Sequence, residues 1–236
     1  MIPQASFFRR VLRVCLRVSA GFNKLRARLV ASGILLVTVY TPPRKLTFGQ
    51  HCFHFLVLVI GDFHIPDRSV CIHPAFKALL SPGKIHHVWC TGNLTSRTIY
   101  DQLKFICADV HVVKGDFDQL PFPETKVLTV GNLKIGLTHG HQSVPWGSRA
   151  SLSMLRRQLN VDVLISGHTH VAEAYQYDGG IFLNPGSVTG AFTPLQRDPQ
   201  PTFMLLDIQE STINLYTYRL VGNEHKVERT EFPRAA

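Results

Sequence analysis

An α/β sandwich, two packed β-sheets with helices on the outside, is predicted by two features of this 236-residue chain. Apolar runs such as LVLVI at 56–60 and VDVLIS at 161–166 lack the alternation of half-exposed strands and read as strands buried on both faces. Strand and helix patterns alternate early and consecutive strands follow, an order that fits packed sheets with their helices on the outer faces.

Leu56 to Ile60 is the first strand, and Gly61 lets the backbone leave the sheet toward Asp62 and His64. A helical segment at Pro74 to Leu80 is closed by Pro82 and Gly83. His86 to Cys90 reads as the second strand, ending in Thr91, Gly92 and Asn93. Thr98 to Cys107 places Ile99, Leu103 and Ile106 on one helical face. Val110 to Val113 is a short third strand that runs into Gly115, Asp116, Phe117 and Asp118. Lys126 to Val130 and Lys134 to Thr138 form a hairpin through Gly131 and Asn132, and its second strand ends in His139, Gly140 and His141. Ser151 to Gln158 is a helix with Ser151 as its cap. Val161 to Ser166 is a buried strand ending in Gly167, His168, Thr169 and His170. Strands recur at Ala172 to Tyr177 and Ile181 to Leu183. The latter leads into Gly186 and Ser187, a structural turn, because the G-K-[ST] of a phosphate loop does not follow. Phe203 to Ile208 pairs with Thr212 to Leu220, and Lys226 to Phe232 alternates as a last strand.

The net charge of +9 is unevenly placed. Residues 1–61 hold nine Lys or Arg and no acidic residue, which leaves sixteen basic and sixteen acidic residues in the remainder. The folded part is therefore neutral, which excludes a duplex-binding module with a basic face. Residues 1–54 are Arg-rich, and their apolar run Leu29 to Tyr40 is shorter than the ~20 residues that cross a bilayer. A transit peptide, a membrane-surface anchor and a translated upstream stretch compete for this segment, and the last is favoured. The expected division is a basic extension at 1–54, outside the fold, and one domain at 55–236. Five cysteines, odd in number and without C-x-x-C, argue against a disulfide framework or a cysteine zinc site and point to reduced, cytosolic thiols.

Five strands end in a polar ligand type just past a glycine or at the strand tip. They supply Asp62 with His64, Asn93, Asp116, His139, and His168 with His170. An extended Asp62-x-His64 would point both side chains the same way. Carboxyl ends of strands in such sheets line one edge, so these oxygen and imidazole donors converge there. The set is enough for two divalent ions about 3.5–4 Å apart. His141, beside His139, is expected to back the site or lie at the surface.

In this order GD-x-H, GN, GD-x-D, HGH and GHTH resemble the calcineurin-like metallophosphoesterase superfamily, from about Leu56 to the C-terminus. VLVIGDFHIP, PGKIHHVWCTGN, VVKGDFD, KIGLTHGHQ, PWG, LISGHTH, NPGSVTGA and KVER resemble its retromer-subunit branch. The resemblance implies a metallophosphoesterase-like αββα fold with two mixed β-sheets. It also implies two weakly held divalent ions, Mn or Zn, with Asp62, His64 and His170 facing one, Asp116, His139 and His168 the other, and Asn93 between them. Two positions depart from the enzymes: Asn93 stands where an Asp bridges the metals, and Phe117 where a His protonates the leaving oxygen or holds the phosphoryl group.

The resemblance therefore implies a non-catalytic scaffold subunit of retromer in endosome-to-Golgi and recycling transport. Such a subunit docks on the large α-solenoid subunit and through it on the retromer core. It is cytoplasmic and peripheral on endosomes, with indirect membrane association and no nucleic-acid partner. The alternative is an active dinuclear-metal phosphodiesterase or phosphatase. Val144, Pro145 and Trp146, in a loop leaving the metal edge, are expected to form an exposed docking patch. Leu205, Tyr216 and Tyr218 form either a second apolar patch for regulatory proteins or a surface covered by a helix.

Overall fold

In the computed structural model, which describes residues 55–209 and 212–233, the chain runs in this order: β1 (Phe55–Ile60), α1 (Pro74–Lys77), β2 (His87–Cys90), α2 (Arg97–Ile106), β3 (Val110–Val112), β4 (Thr125–Val130), β5 (Leu133–Thr138), α3 (Arg149–Leu159), β6 (Val163–Ile165), β7 (Ala172–Tyr177), β8 (Gly180–Pro185), β9 (Thr202–Ile208), β10 (Thr212–Val221) and β11 (Glu224–Pro233). The expected division at residue 54 lies outside the described residues. Among the described residues no helix is long and apolar enough to cross a membrane.

Six strands form one sheet in the order β11-β10-β9-β1-β2-β3, and five form the other in the order β4-β5-β6-β8-β7. Both are mixed. β1, β2 and β3 run parallel while β9, β10 and β11 are joined antiparallel. In the second sheet β5, β6 and β8 are parallel, with β4 and β7 antiparallel at the edges.

The apolar runs explain the layering. Val57 and Val59 of β1 face Ile135, Leu137, Val163, Ile165, Leu206 and Leu215 in the core between the sheets. Leu58 and Ile60 alternate to the other face, which α1 and α2 cover through Phe76, Ile99 and Leu103. β1 is thus buried on both sides, as its unbroken hydrophobicity requires. Leu152 of α3 packs with Leu164 and Phe182 on the outside of the second sheet.

One local expectation changes, and one of two open readings is favoured at Tyr218. α3 begins at Arg149, and its cap is Ser148, whose hydroxyl accepts the Ser151 N–H at 3.4 Å. Ser151 Oγ instead donates to the Val144 carbonyl at 3.1 Å and ties the preceding loop to the helix. Of the second apolar group, Tyr218 is only 7% exposed and stacks on Phe203 at 4.6 Å, itself edge-on to Phe76 of α1. The helix cover accounts for Tyr218, while Leu205 and Tyr216, cross-strand partners, stay partly exposed beside it. Ile213 and Leu215 fill the inter-sheet core, and Tyr218 and Leu220 are buried on the other face of β10.

Candidate metal centre

The loops after β1, β2, β3, β5 and β6 meet at one edge, and hydrogen bonds between them extend the strand pairing past the strand ends. Asp62 N–H donates to the Gly92 carbonyl at 3.0 Å, His64 N–H to Asn93 at 2.9 Å, and Gly167 N–H to His139 at 2.8 Å. Asp62 and His64 do not converge through an extended segment. Both have positive φ, 51° and 47°, as do Asn93 (54°), His168 (71°) and His170 (59°). The left-handed region is unfavourable for such residues, by about 1 kcal/mol or more each, and is held only where the surroundings dictate it. It turns each of these side chains inward at the strand tip.

Two glycines make the convergence sterically feasible. Gly92 has φ +101°, and a Cβ there would run into the Gly115 backbone; a Cβ at Gly115 would overlap the Asn93 side chain. Asp118, absent from the sequence-derived ligand set, organises this region. Its carboxylate accepts the N–H groups of Asn93 (2.8 Å), Gly115 (2.9 Å) and Thr95 (2.9 Å). The second Asp of GDFD was the available signal. Ser187, buried in the turn after β8, donates to the Asp62 carbonyl at 2.7 Å, which supports its reading as structural.

The seven expected residues fall into two groups around Asn93. Asp62, His64 and His170 form one, with donor atoms within 4.8 Å of one another, and Asp116, His139 and His168 form the other. In the first, His64 Nε2 is 3.2 Å from His170 Nε2, and Asp62 Oδ1 lies 4.0 and 3.6 Å from them. In the second, Asp116 Oδ1 is 3.0 Å from His139 Nε2 and 3.8 Å from His168 Nδ1. Ligands about 2.0–2.1 Å from a tetrahedral ion stand ~3.4 Å apart, so both spacings fit a divalent metal.

Tautomers point the same way. His139 Nδ1 hydrogen bonds the Thr91 carbonyl at 2.7 Å, and His170 Nδ1 the Ala191 carbonyl at 2.5 Å. A carbonyl accepts, so each Nδ1 donates and each ring turns its Nε2 toward the site, the arrangement of metal-ligating histidines. Burial lowers the His64 pKa to about 4, which keeps that ring neutral, and its buried Nδ1 has no hydrogen-bond partner among the described residues. Burial also opposes charge on Asp116, but His139, His168 and Asn93 outweigh it and hold its carboxyl well below the usual range. His139 is buried too, yet Asp116, Asp62 and the Thr91 carbonyl raise its pKa.

His141 belongs to neither group. It is half-buried, with its ring 5.3 Å from that of His139 and its Nε2 3.9 Å from Glu124. Phe117 is 48% exposed at the mouth, edge-on to His64 at 5.4 Å and beneath the Arg68 guanidinium at 4.4 Å. Val144 and Trp146 are 71% and 48% exposed, and Pro145 is exposed between them. Trp146 packs edge-on against His168 at 4.6 Å, so this patch adjoins the site.

The model of the calcineurin-like phosphoesterase superfamily domain matches residues 55–211. Vacuolar protein sorting-associated protein 29 (Vps29) of Schizosaccharomyces pombe is 45% identical over 182 residues, which are 75% of this chain and 97% of that protein. The chain belongs to the Vps29 family. Vps29 of Entamoeba histolytica, in a crystal structure complexed with zinc, is 51% identical, covers 75% of this chain and 99% of its own, and superposes with a TM-score of 0.71. Vps29 of Chaetomium thermophilum, complexed with a cyclic peptide, is 40% identical over 78% of this chain and 99% of its own, with a TM-score of 0.69. The two mixed sheets are those of the Vps29 fold, and the candidate ligand groups sit at the strand ends of that fold.

Proposed function

We propose that this chain is a non-catalytic scaffold subunit of retromer, serving vacuolar protein sorting by docking on the large α-solenoid subunit through its metal edge. The observation that carries the reading is Phe117. By the resemblance of GDFD to the superfamily motif it stands where a phosphoesterase carries a proton-donating His, and a phenyl ring at the mouth, beside His64, can neither donate a proton nor hold a phosphoryl group. Loss of a positioned acid costs on the order of 10²–10⁴ in rate. Homology to Vps29 supports the sorting role, and the exposed Val144, Pro145 and Trp146 supply an apolar patch for a concave helical partner. The protein would act in the cytoplasm, peripheral on endosomes, and residues 1–54 would take no part in the domain.

Asp62, His64 and His170, and across Asn93 Asp116, His139 and His168, would hold two divalent ions, manganese or zinc. When bound, such ions supply Lewis acidity and an activated water. Here Asn93 offers a neutral amide where an anionic bridge is needed, which weakens the hold on the pair. The two candidate ligand groups are what supports the second reading, an active dinuclear-metal phosphodiesterase or phosphatase. Affinity isolation of the full chain and of residues 55–236 from cells, with partners identified by mass, tests the scaffold reading. Recovery of neither with a large helical-repeat protein would sink it.

A further inference from the structure

A third group of metal-type donors stands at the opposite end of the strands. His87 opens β2, Asp109 immediately precedes β3, and His111 lies within β3, directly across from Trp89. Their donor atoms are all within 4.8 Å of one another. The parallel register brings them together. Trp89 fills the core between the sheets, so His87, two residues earlier, and His111, its cross-strand partner, project on that same face where the core opens to solvent. Asp109 reaches between them, its Oδ2 in direct contact with His87 Nδ1 and its Oδ1 3.3 Å from His111 Nε2.

We propose that His87, Asp109 and His111 form a further binding site for a borderline divalent cation of the zinc class. Two imidazoles and one carboxylate are the donor set of open zinc sites, in which solvent or another ligand completes the shell. The 3.3 Å separation of Oδ1 and His111 Nε2 matches the ~3.4 Å edge of a tetrahedral ion, and only His87 has to draw back from its hydrogen bond. The carboxylate is 46% exposed and the two rings are mostly buried, so an ion has an entry path and a fixed seat. Lys126 is close enough for its charge to act at His111, and it opposes a bound cation that Asp109 favours. A metal here joins β2 to the edge strand β3.

The test uses the full chain carrying Asp62→Ala and Asp116→Ala, which removes the carboxylate from each of the other two groups. Zinc calorimetry on this protein is expected to show one ion per chain. Adding Asp109→Asn, nearly isosteric, should weaken that binding by about tenfold or more without moving the metal-free thermal midpoint by more than a few degrees. No zinc binding in the doubly substituted chain, or undiminished binding after Asp109→Asn, overturns the proposal. If the substituted chains do not fold, zinc-edge anomalous scattering from crystals of the unsubstituted chain decides. A peak among His87, Asp109 and His111 supports the site, and its absence shows an ion-pair clamp.

Discussion

The backbone N–H of Phe117 donates to Asn93 Oδ1 at 3.0 Å. That single bond orients the amide. With Oδ1 occupied, Nδ2 turns to the centre of the site, 2.9 Å from Asp116 Oδ1, 3.1 Å from His139 Nε2, 3.3 Å from His64 Nε2 and 3.4 Å from Asp62 Oδ1. A donor thus sits between the two candidate groups, beside acceptors that metals would otherwise share. Turning Oδ1 inward would set the Asn93 NH₂ against the Phe117 N–H, two donors face to face.

Asn93→Asp should reverse the balance. It removes the Nδ2 hydrogen bond to Asp116 and adds a third carboxylate beside Asp62 and Asp116, so the metal-free protein should lose about 1–3 kcal/mol and a few degrees of thermal midpoint. Zinc should bind at least about tenfold more tightly, because an anion replaces an amide in both ligand groups. Calorimetry of metal-stripped protein measures both changes. Unchanged zinc affinity would show that Asn93 does not govern the site.

Hydrolysis of an activated aryl phosphodiester should be near background for the unsubstituted chain. Phe117→His returns an imidazole to the mouth, 5.4 Å between ring centres from His64 in the present packing, and with Asn93→Asp it should raise the rate by about 10² or more. Robust turnover before any substitution would favour the enzymatic reading instead.

The sequence made the sheets legible because strands buried on both faces have no polar residues to blur them, as in Leu56 to Ile60. The six donors of the two candidate groups were legible because each follows a glycine or strand tip in a short motif, and Asn93 because GN sits at the equivalent strand end. What escaped depends on three dimensions. The left-handed backbone at Asp62 and His64 is held by bonds between loops, and at His168 by its N–H on the Asp62 carboxylate, not by local composition. Asp118 does its work through three N–H groups from two loops. His87, Asp109 and His111 become neighbours only through the β2–β3 register, at strand beginnings, whereas the motifs mark strand ends. Tyr218 is covered by an aromatic stack that includes α1, and nothing in the alternation of β10 distinguishes that from an open patch.

Removing residues 1–54 should leave the domain intact. Every strand from β1 to β11 pairs with another strand within 55–233, and β1 already has neighbours on both sides in β2 and β9. The thermal midpoint of residues 55–236 is expected within a few degrees of the full chain, the shift that about 1 kcal/mol produces. A collapse of the midpoint would show that the extension contributes to the fold.

Val144→Asp should abolish capture of the proposed solenoid partner while leaving the domain folded. The side chain is 71% exposed and its loop is anchored from behind, by Ser151 Oγ on the Val144 carbonyl and by Trp146 Nε1 on the His141 carbonyl at 2.9 Å. A charge at this tip therefore disturbs no core contact, and the thermal midpoint should hold. In a docked complex the same position would be desolvated near the centre of an apolar contact. Replacing such an anchor commonly costs about 2 kcal/mol or more, and an unpaired carboxylate adds the penalty of burying charge. Trp146 couples the patch to the site through His168, so metal binding would stiffen the surface that the partner meets. Chelation should then weaken capture by severalfold, whereas Val144→Asp should eliminate it with or without metal. Co-purification of the Val144→Asp chain with the solenoid subunit at undiminished yield would place the docking face elsewhere on the molecule.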